Sequence, residues 1–112
     1  MAVYRPGDIV VVPFPFTERL ASKRRPALVC SSEEYNRSSR HVVLAMITTA
    51  TRSPWPGDVA IRDLGVTGLP APSTVRWKLF TLDASLVLRR AGELSDHDRA
   101  ACADRQPLAL TR

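Results

Sequence analysis

Long apolar runs are missing from this chain. No window approaches the roughly 18 apolar residues of a membrane-spanning helix, and the N-terminal stretch lacks a signal-peptide pattern. A cytoplasmic protein that does not enter a membrane is therefore expected. Cysteine is scarce, with two residues in 112, and neither C-x-x-C nor H-x-x-x-H spacing occurs. Neither a disulfide nor a zinc site is expected, and Cys30, inside an apolar run, reads as a small buried hydrophobe. Histidine is equally rare: His41 opens a strand-like run and His97 falls in an expected first helical turn. Both read as surface residues rather than as an acid–base couple. The chain has no glycine-rich phosphate cradle, no G-x-S-x-G elbow and no H-E-x-x-H. Nor do carboxylates pair at helical spacing on a recognisable site. Repeats, low-complexity tracts and linkers are absent too, so residues 1–112 are expected to form one domain with one core.

What the chain does have is positive charge. Sixteen Lys and Arg against eleven Asp and Glu give a net charge of +5 and a pI near 10.0. That balance favours an anionic partner: nucleic acid, an anionic membrane surface or an acidic protein.

Strand signals recur at short spacing. Gly7-Asp8 marks a turn before the β-branched run Ile9-Val10-Val11-Val12, which Pro13 and Pro15 are expected to break. Residues 18–24 read as a polar, charged loop, and Ala27-Leu28-Val29-Cys30 as a short buried strand behind Pro26. A single helical turn is expected near residues 33–36. The most hydrophobic strand spans residues 41–49, and a short one spans 58–61. The Gly- and Pro-rich stretch 63–72 should cross the surface. Further strands are expected at 73–77, 79–82 and 86–90. Ser95 N-caps a short helix running to about Ala103, with acids in its first turn. Closely spaced strands with one terminal helix predict a mainly β fold, a small closed or nearly closed β-barrel.

Cations, hydroxyls and aromatics gather at the strand ends: Lys23, Arg24, Arg25, Thr48, Thr49, Arg52, Arg76, Trp77 and Lys78. Arginines grip phosphate oxygens bidentately, threonine hydroxyls donate further hydrogen bonds, and an exposed Trp77 would stack a splayed base. Most members also have a plainer alternative. The triplet Lys23-Arg24-Arg25 is equally a solvated loop end, Trp77 a rim packing residue, and Arg76 with Lys78 a solvent face.

Taken in order, Gly7-Asp8-Ile9-Val10-Val11-Val12, Arg25-Pro26-Ala27-Leu28-Val29 and Ile47-Thr48-Thr49 closely resemble the signature blocks of the MazF/PemK toxins. Gly68-Leu69, Ser73, Leu79-Phe80-Thr81-Leu82-Asp83 and Arg89-Arg90-Ala91-Gly92 extend the match over about residues 6–98. The resemblance implies an SH3-like barrel, a homodimer and the toxin of a toxin–antitoxin pair. It also implies metal-free, cofactor-free cleavage of single-stranded RNA: the RNA's 2′-OH attacks, leaving a 2′,3′-cyclic phosphate and a 5′-OH. By the same resemblance Arg25 and Thr48 are the catalytic pair. The first loop, which includes Phe16, overlies the RNA groove, and a cognate antitoxin's C-terminal segment binds there. Two other classes share the chemistry in part: a CcdB-like toxin that binds a DNA topoisomerase without catalysis, and a barrel that binds nucleic acid without cutting it.

Two departures from the family pattern stand out. Leu20-Ala21-Ser22-Lys23 replaces the Gly-Ser-Glu-Gln-like residues that many relatives carry before the Arg-Pro block. Arg76-Trp77-Lys78 lacks the aspartate that some carry two positions after the arginine, so the general base is unassigned. An arginine is a poor base, its pKa exceeding about 12, and Arg25 is therefore read as an electrostatic stabiliser.

Overall fold

The computed structural model describes residues 3–14, 23–49 and 53–106. Its six strands are β1 (Asp8–Phe14), β2 (Lys23–Val29), β3 (His41–Thr48), β4 (Val59–Ala60), β5 (Thr74–Asp83) and β6 (Arg89–Glu93). They pair in the order β4-β5-β3-β2-β1-β6, every pair antiparallel, in a sheet curled into a half-barrel. Helix α1 (Glu33–Ser39) connects β2 to β3 and helix α2 (Asp96–Arg105) follows β6. The mainly β architecture with a C-terminal helix agrees with the sequence expectation.

Several boundaries differ, each for a local reason. Pro13 does not break β1; it pairs with Arg24 inside the strand. The β1–β6 pairing runs only from Asp8 to Val11, so Pro13 sits where the sixth strand demands no N–H from it. Lys23 and Arg24 belong to β2 rather than to a loop. Helix α1 is longer than one turn. Ser32 caps it by accepting from the Tyr35 N–H at 3.1 Å, and Arg40, in the left-handed region at φ 60°, ends it. The segments expected at 73–77 and 79–82 are one strand, β5, and the last strand starts three residues later than expected because Ala84–Leu86 forms a 3-10 turn.

Strand alternation sends apolar residues to both faces of the sheet. One cluster joins Ile9, Leu28, Ala45, Ile47, Val75 and Trp77 to Leu94 and Cys102, under α2. The other joins Val10, Val12, Ala27, Val29, Val42, Leu44 and Leu82, flanked by Tyr4, Phe80 and Leu86. A sheet buried on both faces explains why its strands read as continuous apolar runs.

The two edge strands, β4 and β6, are joined by other means. Residues 66–68 lie directly on β6, and glycine permits the approach. A Cβ on Gly92 would stand 2.5 Å from the Val66 carbonyl oxygen, and one on Gly68 (φ +73°) would overlap the Ala91 carbonyl. On the other side Asp98 of α2, 1% exposed, accepts the backbone N–H groups of Arg62 and Asp63 at 3.1 and 2.9 Å.

Cys30 and Cys102 are free thiols in the same cluster. Burial, reinforced by their mutual charge, pushes Cys30 up to about 12; burial, with Asp98 nearby, pushes Cys102 up to about 11. Both raised values mean that the fold prefers the protonated thiol. Its stabilising contribution is full below the unfolded thiol's pKa of about 8.5 and is lost as pH rises towards the folded values. Stability should fall between pH 9 and 11 by on the order of 1 kcal/mol per pH unit for each thiol. Urea midpoints across that range check this, and the Cys30→Ala/Cys102→Ala double variant should lose clearly less. An equal loss in both proteins would refute it.

Candidate nucleic-acid interface

Strand β2 has two halves. Ala27, Leu28 and Val29 are buried between β1 and β3, whereas Lys23, Arg24 and Arg25 are exposed and extend as a ribbon with the end of β1. Pro26 lies at the junction, just before β3 pairing begins. Alternation places Lys23 and Arg25 with Val12 and Phe14 on one face and Arg24 with Pro13 on the other. The Arg25 guanidinium lies 5.3 Å from the Phe14 ring centroid, a cation–π contact that limits where the charge can point.

Thr48 ends β3 and pairs with Thr74 of β5. Ala27 opposes Met46 and Leu28 opposes Ala45 across β2 and β3. Continued two residues further, that register sets Arg25 level with Thr48. Because the shift is by two, the pair keeps the face shared by Ala27, Met46 and Arg76. Thr49 is exposed immediately beyond. Phe16 and Arg52, also named from sequence, lie outside the described residues.

The Arg76-Trp77-Lys78 group turns out differently from its sequence reading. Met46 opposes Arg76 but Ala45 opposes Leu79, so Trp77 and Lys78 form an insertion in β5. Two extra residues preserve alternation, keeping Arg76 and Lys78 on Thr48's face and sending Trp77 to the opposite one. Trp77 is only 4% exposed, in the core under α2, and its indole N–H donates to the Gly57 carbonyl at 2.7 Å. It is a packing residue here and is not placed to stack a base.

Arg76 is bound too. Its Nε and Nη2 donate to the two oxygens of Asp58 at 3.2 and 2.9 Å, and Nη2 also reaches the Ser53 carbonyl at 3.0 Å. These side chains are 14% and 20% exposed. The hydrogen bonds from Arg76 hold the Asp58 carboxyl below the usual carboxylate range, and Asp58 raises Arg76 in turn. A carboxylate therefore does stand beside Arg76, contributed by Asp58, the residue before β4, and not by the position two after the arginine.

Sequence reasoning missed Asp58 and, beside it, Trp55. Trp55 is 41% exposed on the loop between β3 and β4, with the Lys78 ammonium 4.5 Å from its ring centroid. Asp58 Oδ2 accepts the Trp55 backbone N–H at 3.1 Å. Flanking prolines at 54 and 56 were the available signal: they exclude strand and helix and stiffen an aromatic in a loop.

Several other ion pairs gather at the far end of β1: Arg5 with Glu33, and Arg90 with Asp8 and Glu93. His41, at the start of β3, and His97, on α2, also lie away from Arg25 and Thr48. No helix is long and apolar enough to cross a membrane among the described residues.

The sequence profile described as "PemK-like, MazF-like toxin of type II toxin-antitoxin system" matches residues 5–106. No curated protein matches. Among solved structures, the fold is similar to MazF from Deinococcus radiodurans, at 20% identity and TM-score 0.77 over 100% of both chains. It is similar to the Mycobacterium tuberculosis toxin MazF-mt6, at 27% identity and TM-score 0.73, over 94% of this chain and 95% of that one. An endoribonuclease in complex with its cognate antitoxin from a mycobacterial species aligns at 20% identity and TM-score 0.75, over 97% and 94%. With its profile matched over nearly its whole length and its half-barrel shared with these toxins, the chain belongs to the PemK-like, MazF-like toxins of type II toxin–antitoxin systems.

Proposed function

We propose that this toxin is a sequence-selective endoribonuclease that cuts single-stranded RNA through attack by the RNA's own 2′-OH, without a metal ion or other cofactor. What supports this is the β2–β3 register, which ends at Ala27–Met46 and whose continuation by two residues would bring the exposed Arg25 level with Thr48 on one face. Attack of the 2′-oxygen on phosphorus forms the 2′,3′-cyclic phosphate and breaks the bond to the 5′-oxygen, which leaves as a 5′-OH. Negative charge builds on the two non-bridging oxygens during that displacement. In this reading Arg25 meets it with a bidentate donor pair and Thr48 with a hydroxyl. DNA, lacking the 2′-OH, has no nucleophile.

Asp58 is ill suited to deprotonate the 2′-OH. Its carboxyl is held low by Arg76, whereas a good base titrates near the working pH. Lys23 and Lys78 share the pair's face with exposed side chains, Thr49 follows Thr48 directly, and Arg24 is exposed on the other face of β2; together with Phe16 and Arg52 they are the proposed RNA contacts. Arg76 and Trp77 support this surface from within. The working form is a homodimer of single-domain chains, residues 1–112, in the cytoplasm. The C-terminal segment of a cognate antitoxin occupies the same cationic groove and so excludes RNA; the similar mycobacterial endoribonuclease is in complex with its cognate antitoxin.

The test is incubation of a long single-stranded RNA with the purified toxin in EDTA. Discrete cuts are expected, with 5′-OH ends that polynucleotide kinase labels without prior phosphatase. Replacing the nucleotide 5′ to the cut by its 2′-deoxy form should abolish that cut. RNA left intact across varied sequences would overturn the proposal.

A further inference from the structure

We infer that Trp55 is a stacking platform for a base flanking the scissile phosphate, held in place by Asp58 and Arg76. This rests on the endoribonuclease reading. Trp55 lies in a loop, where an aromatic side chain ordinarily has freedom to swing. Three contacts fix the loop backbone that carries it. Asp58 Oδ2 accepts the Trp55 backbone N–H, the same carboxylate binds Arg76 through both oxygens, and Arg76 reaches back to the Ser53 carbonyl. The loop is thereby clamped to β5 at both ends of the Ser53–Asp58 stretch. Prolines at 54 and 56 stiffen what lies between.

The ring is presented on the right side of the sheet. Thr74 pairs with Thr48, and Arg76 and Lys78 follow on the same face at alternate positions of β5. Lys78 is therefore within about 13 Å of the level of Thr48 along the strand. The Lys78 ammonium lies over one face of the Trp55 ring, which is 41% exposed, and the proposed base stacks on the opposite face. A cation on one side of an indole and a base on the other is the arrangement by which single-strand binders hold a base without reading its edge. Arg76 is then a positioning residue, acting through the loop rather than on the phosphate.

The experiment exploits the two tryptophans of the chain, Trp55 exposed and Trp77 buried. A fully 2′-O-methylated oligonucleotide, which cannot be cut, is titrated into the toxin while tryptophan emission is followed. Stacking on Trp55 should quench the solvent-exposed component and shield it from acrylamide. Trp55→Ala should abolish the quench, raise KM on cleavable RNA on the order of tenfold and leave kcat nearly unchanged; Trp55→Phe should restore KM. Asp58→Asn should raise KM in the same direction. Oligonucleotide binding without any change in the Trp55 emission overturns the platform while leaving the nuclease reading intact. Quenching with no cleavage of unmodified RNA sinks the nuclease reading instead, and the platform, which rests on it, falls with it.

Discussion

Arg25→Ala is expected to lower the single-turnover rate of RNA cleavage by about 10³-fold while the protein stays folded. The rate loss follows from the position of the charge. A guanidinium aimed at the oxygens where negative charge develops stabilises the transition state more than the bound substrate, so its removal acts on kcat rather than on KM alone. Folding should be spared because Arg25 is exposed, on the half of β2 that pairs only with β1. Its contact with Phe14 is an exposed cation–π pair, of the order of 0.5–1 kcal/mol. Arg25→Lys keeps the charge but not the fork of donors, and should recover only part of the rate. Thr48→Ala should also slow cleavage, by about 10²-fold, since one neutral donor is lost. The measurement is the cleavage rate of a short labelled RNA with enzyme in excess, beside circular dichroism and a melting curve for each variant. A folded Arg25→Ala protein that cuts at the wild-type rate would remove Arg25 from the chemistry.

Asp98→Ala should produce a large loss of stability, about 2–4 kcal/mol. Asp98 is nearly the most buried polar residue of the fold, and its carboxylate accepts the backbone N–H groups of Arg62 and Asp63 while its own N–H donates to the Ser95 cap of α2. Truncation leaves two backbone donors without their acceptor and detaches the 61–63 segment from the helix. The sheet depends on that attachment, because β4 and β6 do not pair with each other and the seam between them is spanned by residues 61–73 and α2. Asp98→Asn retains one acceptor oxygen and should fall between wild type and Ala. Urea unfolding at neutral pH measures the difference, with the slope unchanged if the unfolded state is unaffected. A loss below 0.5 kcal/mol would show that water replaces the carboxylate and that the seam does not need it.

Much of this was legible before folding. Apolar runs of strand length separated by turn residues located β1 and β3, because burial on both faces of a sheet requires continuous hydrophobicity, while period-two alternation located β5 as two pieces. Ser95 with acids behind it marked the start of α2, although the helix runs two residues past the expected end. The cation triplet before Pro26 and the threonines ending β3 were also visible, and with them the phosphate-directed chemistry proposed here. The alternation Arg76-Trp77-Lys78 even set the tryptophan opposite its neighbours.

Four matters were decided only in three dimensions. Which face of β5 is core determined that Trp77 packs and that Lys78 is available. An ion pair eighteen residues apart bound Arg76 to Asp58, and with it Trp55 to the candidate site. Asp98, which in sequence is only an acid in a first helical turn, became a bridge to a segment thirty-five residues away. Gly68 and Gly92 turned out to be where backbone meets backbone across the seam. The sequence by itself determined the strands, the charge and the candidate catalytic residues, since these depend on local periodicity and side-chain type. Faces, partners and closure depended on pairings between distant segments, whose register local propensity does not specify.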